Sequence, residues 1–346
     1  MLRLIDDVIT QSPPWNDPYG SPGLALNNIL APVVVTPAGF SAFCDNALNL
    51  KIEAVLHQWF ELLESDKSVD VLIRTQWLSD KSIFDLSSGL IGFDPNKPTI
   101  DPFLRAYVKE SDRQDPHWGF KTWNDFFARP FLDPDYERPL DTDKDALVSA
   151  ADSRVYCIAS NVREKDTFWL KGHKYSLKHL LDSHYISNFI GGTVFQAYLL
   201  PSDYHRWTMP FGGTVEEVIP VKGTYFALSQ YLVDPTQPDE FTSLVEGLPY
   251  LATVSTRWLV FIKPDDTRLG DKVCFIAVGL QEISSVEFDF KYPEDLPKKI
   301  NRGDLLGRFK FGGSTVCLIF QPKVNITWEV TQLRHIKIRS KIGTIH

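Results

Sequence analysis

Apolar residues recur at helical spacing early in the chain, where Ile52, Val55, Leu56, Trp59, Phe60 and Leu63 share one face of a helix. Asp45 or Asn46 stands where a short side-chain oxygen caps the free first-turn N–H groups. Asp101-Pro102 predicts another helix, with Asp101 as N-cap and Pro102 at the first helical position, where its missing N–H does no harm. Thr122 and Asp125 form a capping-box pattern ahead of Phe126 and Phe127. Scattered Pro and Gly up to about Pro22 predict an irregular arm. After Pro139 the period changes. Short β-rich runs follow at Thr193–Leu200, Thr214–Val221, Trp258–Ile262, Val273–Val278, Ser284–Phe290 and Thr315–Phe320, punctuated by Gly and Pro. One helix interrupts them at Leu177–Leu181, with Ser176 as its cap. The pattern predicts an α+β chain: a helical N-terminal region over 1–130, then an antiparallel-sheet domain over 131–346.

Composition narrows this picture. The 346 residues are 43% hydrophobic and 23% charged, enough apolar mass for a sizeable core. A formal charge of -8 disfavours nucleic acid as a partner. Cys44, Cys157, Cys274 and Cys317 have no C-x-x-C spacing and no disulfide density, so they are expected as reduced core cysteines, with no metal site. The start, MLRLIDDVIT, is no secretory signal, and apolar runs such as Val273–Leu280 are too short to span a bilayer. The expectation is a cytoplasmic protein without a membrane anchor. Assembly into a homo-oligomer stays open.

The segment with most chemical content is Gly303-Asp304-Leu305-Leu306-Gly307-Arg308-Phe309-Lys310-Phe311-Gly312-Gly313-Ser314-Thr315-Val316. By itself Gly-Gly-Ser-Thr reads as a hairpin turn between Arg308–Phe311 and Thr315–Phe320. It also admits self-cleavage. A serine after glycine attacks the preceding carbonyl when the peptide is strained and the hydroxyl activated, and glycine tolerates the backbone angles that such strain requires. Elimination from the ester then converts the serine into an N-terminal pyruvoyl group. Its ketone is an electron sink that replaces pyridoxal phosphate in amino-acid decarboxylation.

In this segment the chain resembles the phosphatidylserine decarboxylases, and further matches follow in order. They are Trp123-Asn124-Asp125-Phe126-Phe127-Ala128-Arg129 with Arg138-Pro139, then Val148-Ser149-Ala150-Ala151-Asp152. After these come Leu170-Lys171-Gly172 with Tyr175-Ser176-Leu177 and Leu180-Leu181, then Asp203-Tyr204-His205-Arg206, and Val221-Lys222-Gly223-Thr224-Tyr225. Pro37-Ala38-Gly39-Phe40-Ser41-Ala42-Phe43 with Leu48-Asn49-Leu50 is similar to the N-terminal domain of the fungal soluble branch, the L-tryptophan decarboxylase type. The resemblance implies a catalytic domain of that family's fold acting on a free amino acid, aromatic or otherwise apolar. It implies a Gly313–Ser314 cleavage site, a pyruvoyl group derived from Ser314, no pyridoxal phosphate, and His205 in substrate handling or proton transfer. Asp152 would orient the base for self-cleavage.

Three positions depart from the family pattern. Thr208 stands where a second histidine completes an Asp–His–Ser triad, and a threonine hydroxyl is no general base near neutral pH. His173, His179 and His184 are other candidate bases. Ser153 replaces a glycine, and Ile283-Ser284-Ser285 replaces a Val-Gly-Ser. Two alternatives therefore remain: a non-cleaving homologue catalysing a condensation or cyclisation, and a catalytically silent binding protein.

Overall fold

The computed structural model describes residues 2–15, 22–165, 175–226, 247–281 and 286–346. Leu170-Lys171-Gly172, His173 and Ile283-Ser284-Ser285 lie outside these residues.

Helices dominate the first part: α1 (Leu2–Ile9), α2 (Ala25–Val34), α3 (Pro37–Phe43), α4 (Asn46–Leu63), α5 (Asp80–Leu86), α6 (Asp101–Tyr107), α7 (Trp123–Phe127) and α8 (Pro134–Glu137). The expected caps at Asp45 and Thr122 form. Asp45 accepts from Leu48 N–H at 2.9 Å, and Thr122 Oγ1 from Asp125 N–H at 3.0 Å. Two expectations shift. The arm before Pro22 contains α1, because Ile5, Val8 and Ile9 make an apolar face that joins the helical core. Asp101 is the first residue of α6 rather than its cap, and Ile100 precedes the helix. An acid in the first turn still complements the helix dipole.

From Ala146 onward the chain is mainly strands: β1 (Ala146–Val148), β2 (Ser153–Ser160), β3 (Thr193–Leu199), β4 (Arg206–Thr208), β5 (Gly213–Val221), β6 (Arg257–Pro264), β7 (Val273–Gln281), β8 (Val286–Phe288), β9 (Lys298–Ile300), β10 (Leu305–Phe309), β11 (Gly313–Phe320), β12 (Ile326–Trp328), β13 (His335–Ile336) and β14 (Lys341–Ile345). Among the described residues three short helices interleave: α9 (Leu177–Leu180), α10 (Ile186–Phe189) and α11 (Leu248–Val254). Ser176 precedes α9 but gives no side-chain cap. Its hydroxyl donates to Glu164 O instead.

Among the described residues the strands form one eight-stranded sheet, β13-β2-β3-β11-β7-β6-β5-β9, and two three-stranded sheets, β1-β14-β12 and β4-β10-β8. Alternation along β11 divides the large sheet's faces. Val316, Leu318 and Phe320 join a core with Trp207, Phe309 and Ile342 of the small sheets. Cys317 and Ile319 point the other way, against Leu177, Leu180 and Leu251 of the short helices. The helical N-terminal part has its own aromatic core, and Phe311 is the residue just ahead of β11 that enters it. All four cysteines are free. Cys274 and Cys317 are buried as expected, whereas Cys44 is exposed, so a core role does not hold for it.

Candidate active site

The Gly-Gly-Ser-Thr string is not a hairpin turn. β10 pairs with β4 and β8, while β11 pairs with β3 and β7, so residues 310–312 carry the chain from one sheet to another. Each of these residues is fixed. Lys310 bridges Glu64 at 2.9 Å and Glu287 at 3.0 Å, tying the turn to the end of α4 and to β8. Phe311 is fully buried against Trp59, Trp123 and Phe127, with ring centroids 5.0, 5.9 and 5.5 Å away. Its N–H donates to Asn124 Oδ1 at 3.2 Å. Gly312 has φ +127°, a conformation that side chains rarely adopt.

The next peptide faces an irregularity: in the β11–β7 pairing Gly313 lies opposite Gln281 and Ser314 opposite Gly279, so Leu280 of β7 is the extra residue of a bulge across from the Gly313–Ser314 bond. Ser314 lies opposite Leu199 on one side and Gly279 on the other, and Gly279 brings no side chain against it. By alternation with Val316, the Ser314 side chain faces the core shared with the small sheets. It is fully buried, and its Oγ has no hydrogen-bond partner among the described residues. A buried hydroxyl left unpaired costs about 1–3 kcal/mol.

His205 precedes β4. Its ring stacks on Phe127 with centroids 4.0 Å apart, and its backbone carbonyl accepts from Phe309 N–H at 2.9 Å. Nε2 lies 3.2 Å from Pro201 O. A carbonyl only accepts, so Nε2 carries the proton and Nδ1 presents a lone pair. Nδ1 is buried and unpartnered. Burial pushes the His205 pKa down to about 3, which keeps the ring neutral.

Asp152 follows β1, and its carboxylate is fully engaged. Arg138 donates from Nε at 3.0 Å and Nη2 at 2.5 Å, and Ile338 N–H donates at 2.7 Å. Thr208 N–H donates to Ala150 O at 2.9 Å, which sets β4 beside the segment leading to Asp152. Thr208 Oγ1 is buried without a partner. Thr208 also lines a cleft of about 380 Å³ together with Arg138, Tyr204, Arg206, Ile338 and Arg339. The structure thus groups Thr208 with the Asp152–Arg138 pair, and groups His205 with the turn before Ser314 through Phe127.

The other histidines are differently placed. His179 on α9 and His184 just after it belong to the helices covering the opposite face of the large sheet, and His179 is exposed. Neither shares the Ser314 face. Sequence reasoning missed the part played by Asn124, Phe311 and Arg138. All three stand inside the matched segments, but only the fold shows what they touch.

Comparison with known proteins shows the family. A family model described as phosphatidylserine decarboxylase matches residues 123–344, and a second model of the same description matches residues 1–86. The decarboxylase iboD of Amanita muscaria is 33% identical over 95% of this chain and 92% of its own length. An L-tryptophan decarboxylase of Psilocybe cubensis is 31% identical over 92% of this chain and 71% of its own. The phosphatidylserine decarboxylase proenzyme of Salmonella agona is 30% identical over 72% of this chain and 78% of its own. With matches to both ends of the chain and to the segment that carries Ser314, this protein belongs to the phosphatidylserine decarboxylase family, alongside fungal decarboxylases, and is a carboxy-lyase of that family.

Proposed function

We propose that the chain is a pyruvoyl-dependent decarboxylase of a free amino acid, aromatic or otherwise apolar, and that it matures by cutting its own backbone between Gly313 and Ser314. The observation that carries this reading is the Ser314 hydroxyl, buried and without a hydrogen-bond partner among the described residues, on a Gly313–Ser314 bond that faces a bulge of β7. Ser314 Oγ attacks the Gly313 carbonyl, and the peptide C–N bond breaks to leave an ester. Loss of the Ser314 Cα proton expels the Gly313 carboxylate. The dehydroalanine left behind takes up water and releases ammonia, ending as the pyruvoyl group. That group supplies an electron sink next to the departing CO2. His205 Nδ1 takes a proton from the substrate side and returns it, while Nε2–H on Pro201 O keeps the ring in place. The free amino acid is favoured over a lipid by the likeness to the L-tryptophan decarboxylase of Psilocybe cubensis. Among the described residues no helix is long and apolar enough to cross a membrane.

A second reading, the same scaffold without cleavage used for a condensation or cyclisation, draws on Thr208 and Asp152. Thr208 offers no base, and the Asp152 carboxylate is already taken by Arg138 and Ile338. The two readings separate on Thr208→His. The cleft beside Thr208 has room for an imidazole, and Asp152 lies next to it through Arg138. Under the first reading this variant is cut faster than wild type in a time course by denaturing gel and intact mass. Ser314→Ala abolishes the cut in both backgrounds and keeps its melting temperature, since the hydroxyl it removes bonds to nothing. Turnover of a substrate by a wild-type chain that is never cut, with the Thr208→His chain uncut as well, gives the second reading first place.

A further inference from the structure

We propose that Asn124 serves the self-cleavage of the Gly313–Ser314 bond twice over. Its carboxamide oxygen holds the turn, and its NH2 group is the donor for the negative charge that develops on the Gly313 carbonyl. The inference rests on the self-cleavage reading above.

Asn124 is 1% exposed and sits on α7, a short helix that is itself pinned. Thr122 caps it, and Trp123 N–H donates to Ser68 Oγ at 2.7 Å. Asn124 Oδ1 accepts the Phe311 N–H, two residues before Gly313. An N–H requires an acceptor, so this bond fixes which end of the amide is oxygen. The other end, Nδ2, is then a donor on the same small planar group, and it is buried without a partner among the described residues. An anchor for Phe311 N–H needs only an acceptor. An unpaired NH2 in the interior costs about 1–3 kcal/mol and returns nothing in the uncut resting chain. It returns something when the Gly313 carbonyl, two residues along from the N–H that Asn124 holds, becomes an oxyanion, because a donor already in place needs no reorganisation.

The turn is suited to such an arrangement. Phe311 is locked in its aromatic cage, Gly312 takes the positive φ, and the peptide that is cut faces the bulge of β7. As Ser314 Oγ adds to the Gly313 carbonyl carbon, the carbonyl oxygen gains the charge. When the C–N bond breaks that charge collapses back to the ester carbonyl, and the Ser314 nitrogen leaves as an amine with a proton. Asn124 exchanges no electrons or protons, and is a positioning and donor residue throughout.

Two variants separate holding from donating. Asn124→Asp keeps an acceptor for Phe311 N–H and removes the donor. Asn124→Ala removes both, and being small and neutral it covers the case in which a buried carboxylate prevents folding. Cleavage is followed by intact mass, the ester is trapped with hydroxylamine, and melting temperature is read alongside. Loss of an oxyanion donor slows such a step by about 10²–10³-fold. Asn124→Asp is therefore expected to fold, to cut at least 100-fold more slowly than wild type, to give less trapped ester, and to recover in part on acidification, when its carboxyl becomes a donor. A structural anchor alone would not produce that recovery. A folded Asn124→Asp or Asn124→Ala chain that matures at the wild-type rate overturns the proposal for Asn124 and leaves the self-cleavage reading standing. A wild-type chain that is never cut overturns both.

Discussion

Replacing His205 by alanine is expected to lower kcat for decarboxylation by about 10²–10⁴-fold, the range for removing a positioned proton carrier, while leaving the chain folded. The ring is fully buried and stacked on Phe127, yet only one of its nitrogens is used: Nε2 holds Pro201 O, and Nδ1 is free. A purely structural histidine at this depth would be expected to have both nitrogens paired. His205→Asn, which keeps a donor for Pro201 O but lacks the basic nitrogen, is expected to melt near wild type and to be as slow as the alanine variant. The pH dependence has a definite sign. The folded pKa, about 3, lies below the ordinary value of 6.5, so between these limits the unfolded chain binds a proton that the folded chain refuses. Stability from this group is fully present above pH 6.5 and is lost as pH falls toward 3. Acid titration of the melting temperature should show this loss in wild type and a smaller one in His205→Ala. An unchanged kcat in the alanine variant would reduce His205 to a packing residue.

Asp152→Ala is expected to cost about 3–5 kcal/mol of stability, the range for breaking one side of a buried ion pair. Arg138 is 2% exposed, and its guanidinium has Asp152 as its main counter-charge. Removing the carboxylate leaves a cation in the interior and also strips Ile338 N–H of its acceptor. For a chain of this size that corresponds to a fall in melting temperature of roughly 10 °C. Asp152→Asn still accepts from Ile338 N–H and is expected to lose less. The comparison is made by calorimetry on Ser314→Ala protein, so that cleavage does not blur the transition. A melt for Asp152→Ala within 2 °C of its parent, a margin of about 1 kcal/mol, would show that the pair contributes little.

The change from helical to alternating period was legible in the sequence, and so were the caps at Asp45 and Thr122, because these depend on neighbours in the chain. α1 was hidden by the Pro and Gly that follow it. By itself the Gly-Gly-Ser-Thr string reads as a hairpin because its flanks look like paired strands. Whether two strands pair with each other or with others is a long-range property, and here β10 and β11 enter different sheets. The same limit applies at the site. The sequence offered Ser314, His205, Asp152 and Thr208 as candidates, but not that Arg138 occupies the Asp152 carboxylate or that Asn124 holds Phe311. Those contacts join segments 14 and 187 residues apart. No local pattern encodes them.

The central claim is that the Gly313–Ser314 bond is cut and Ser314 becomes the reactive carbonyl. Intact-mass measurement of the purified, active wild-type protein tests it most directly. The account predicts two polypeptides, one ending at Gly313 and the other beginning at residue 314 with a pyruvoyl group in place of the serine. A single full-length mass in a preparation that decarboxylates its substrate would contradict it.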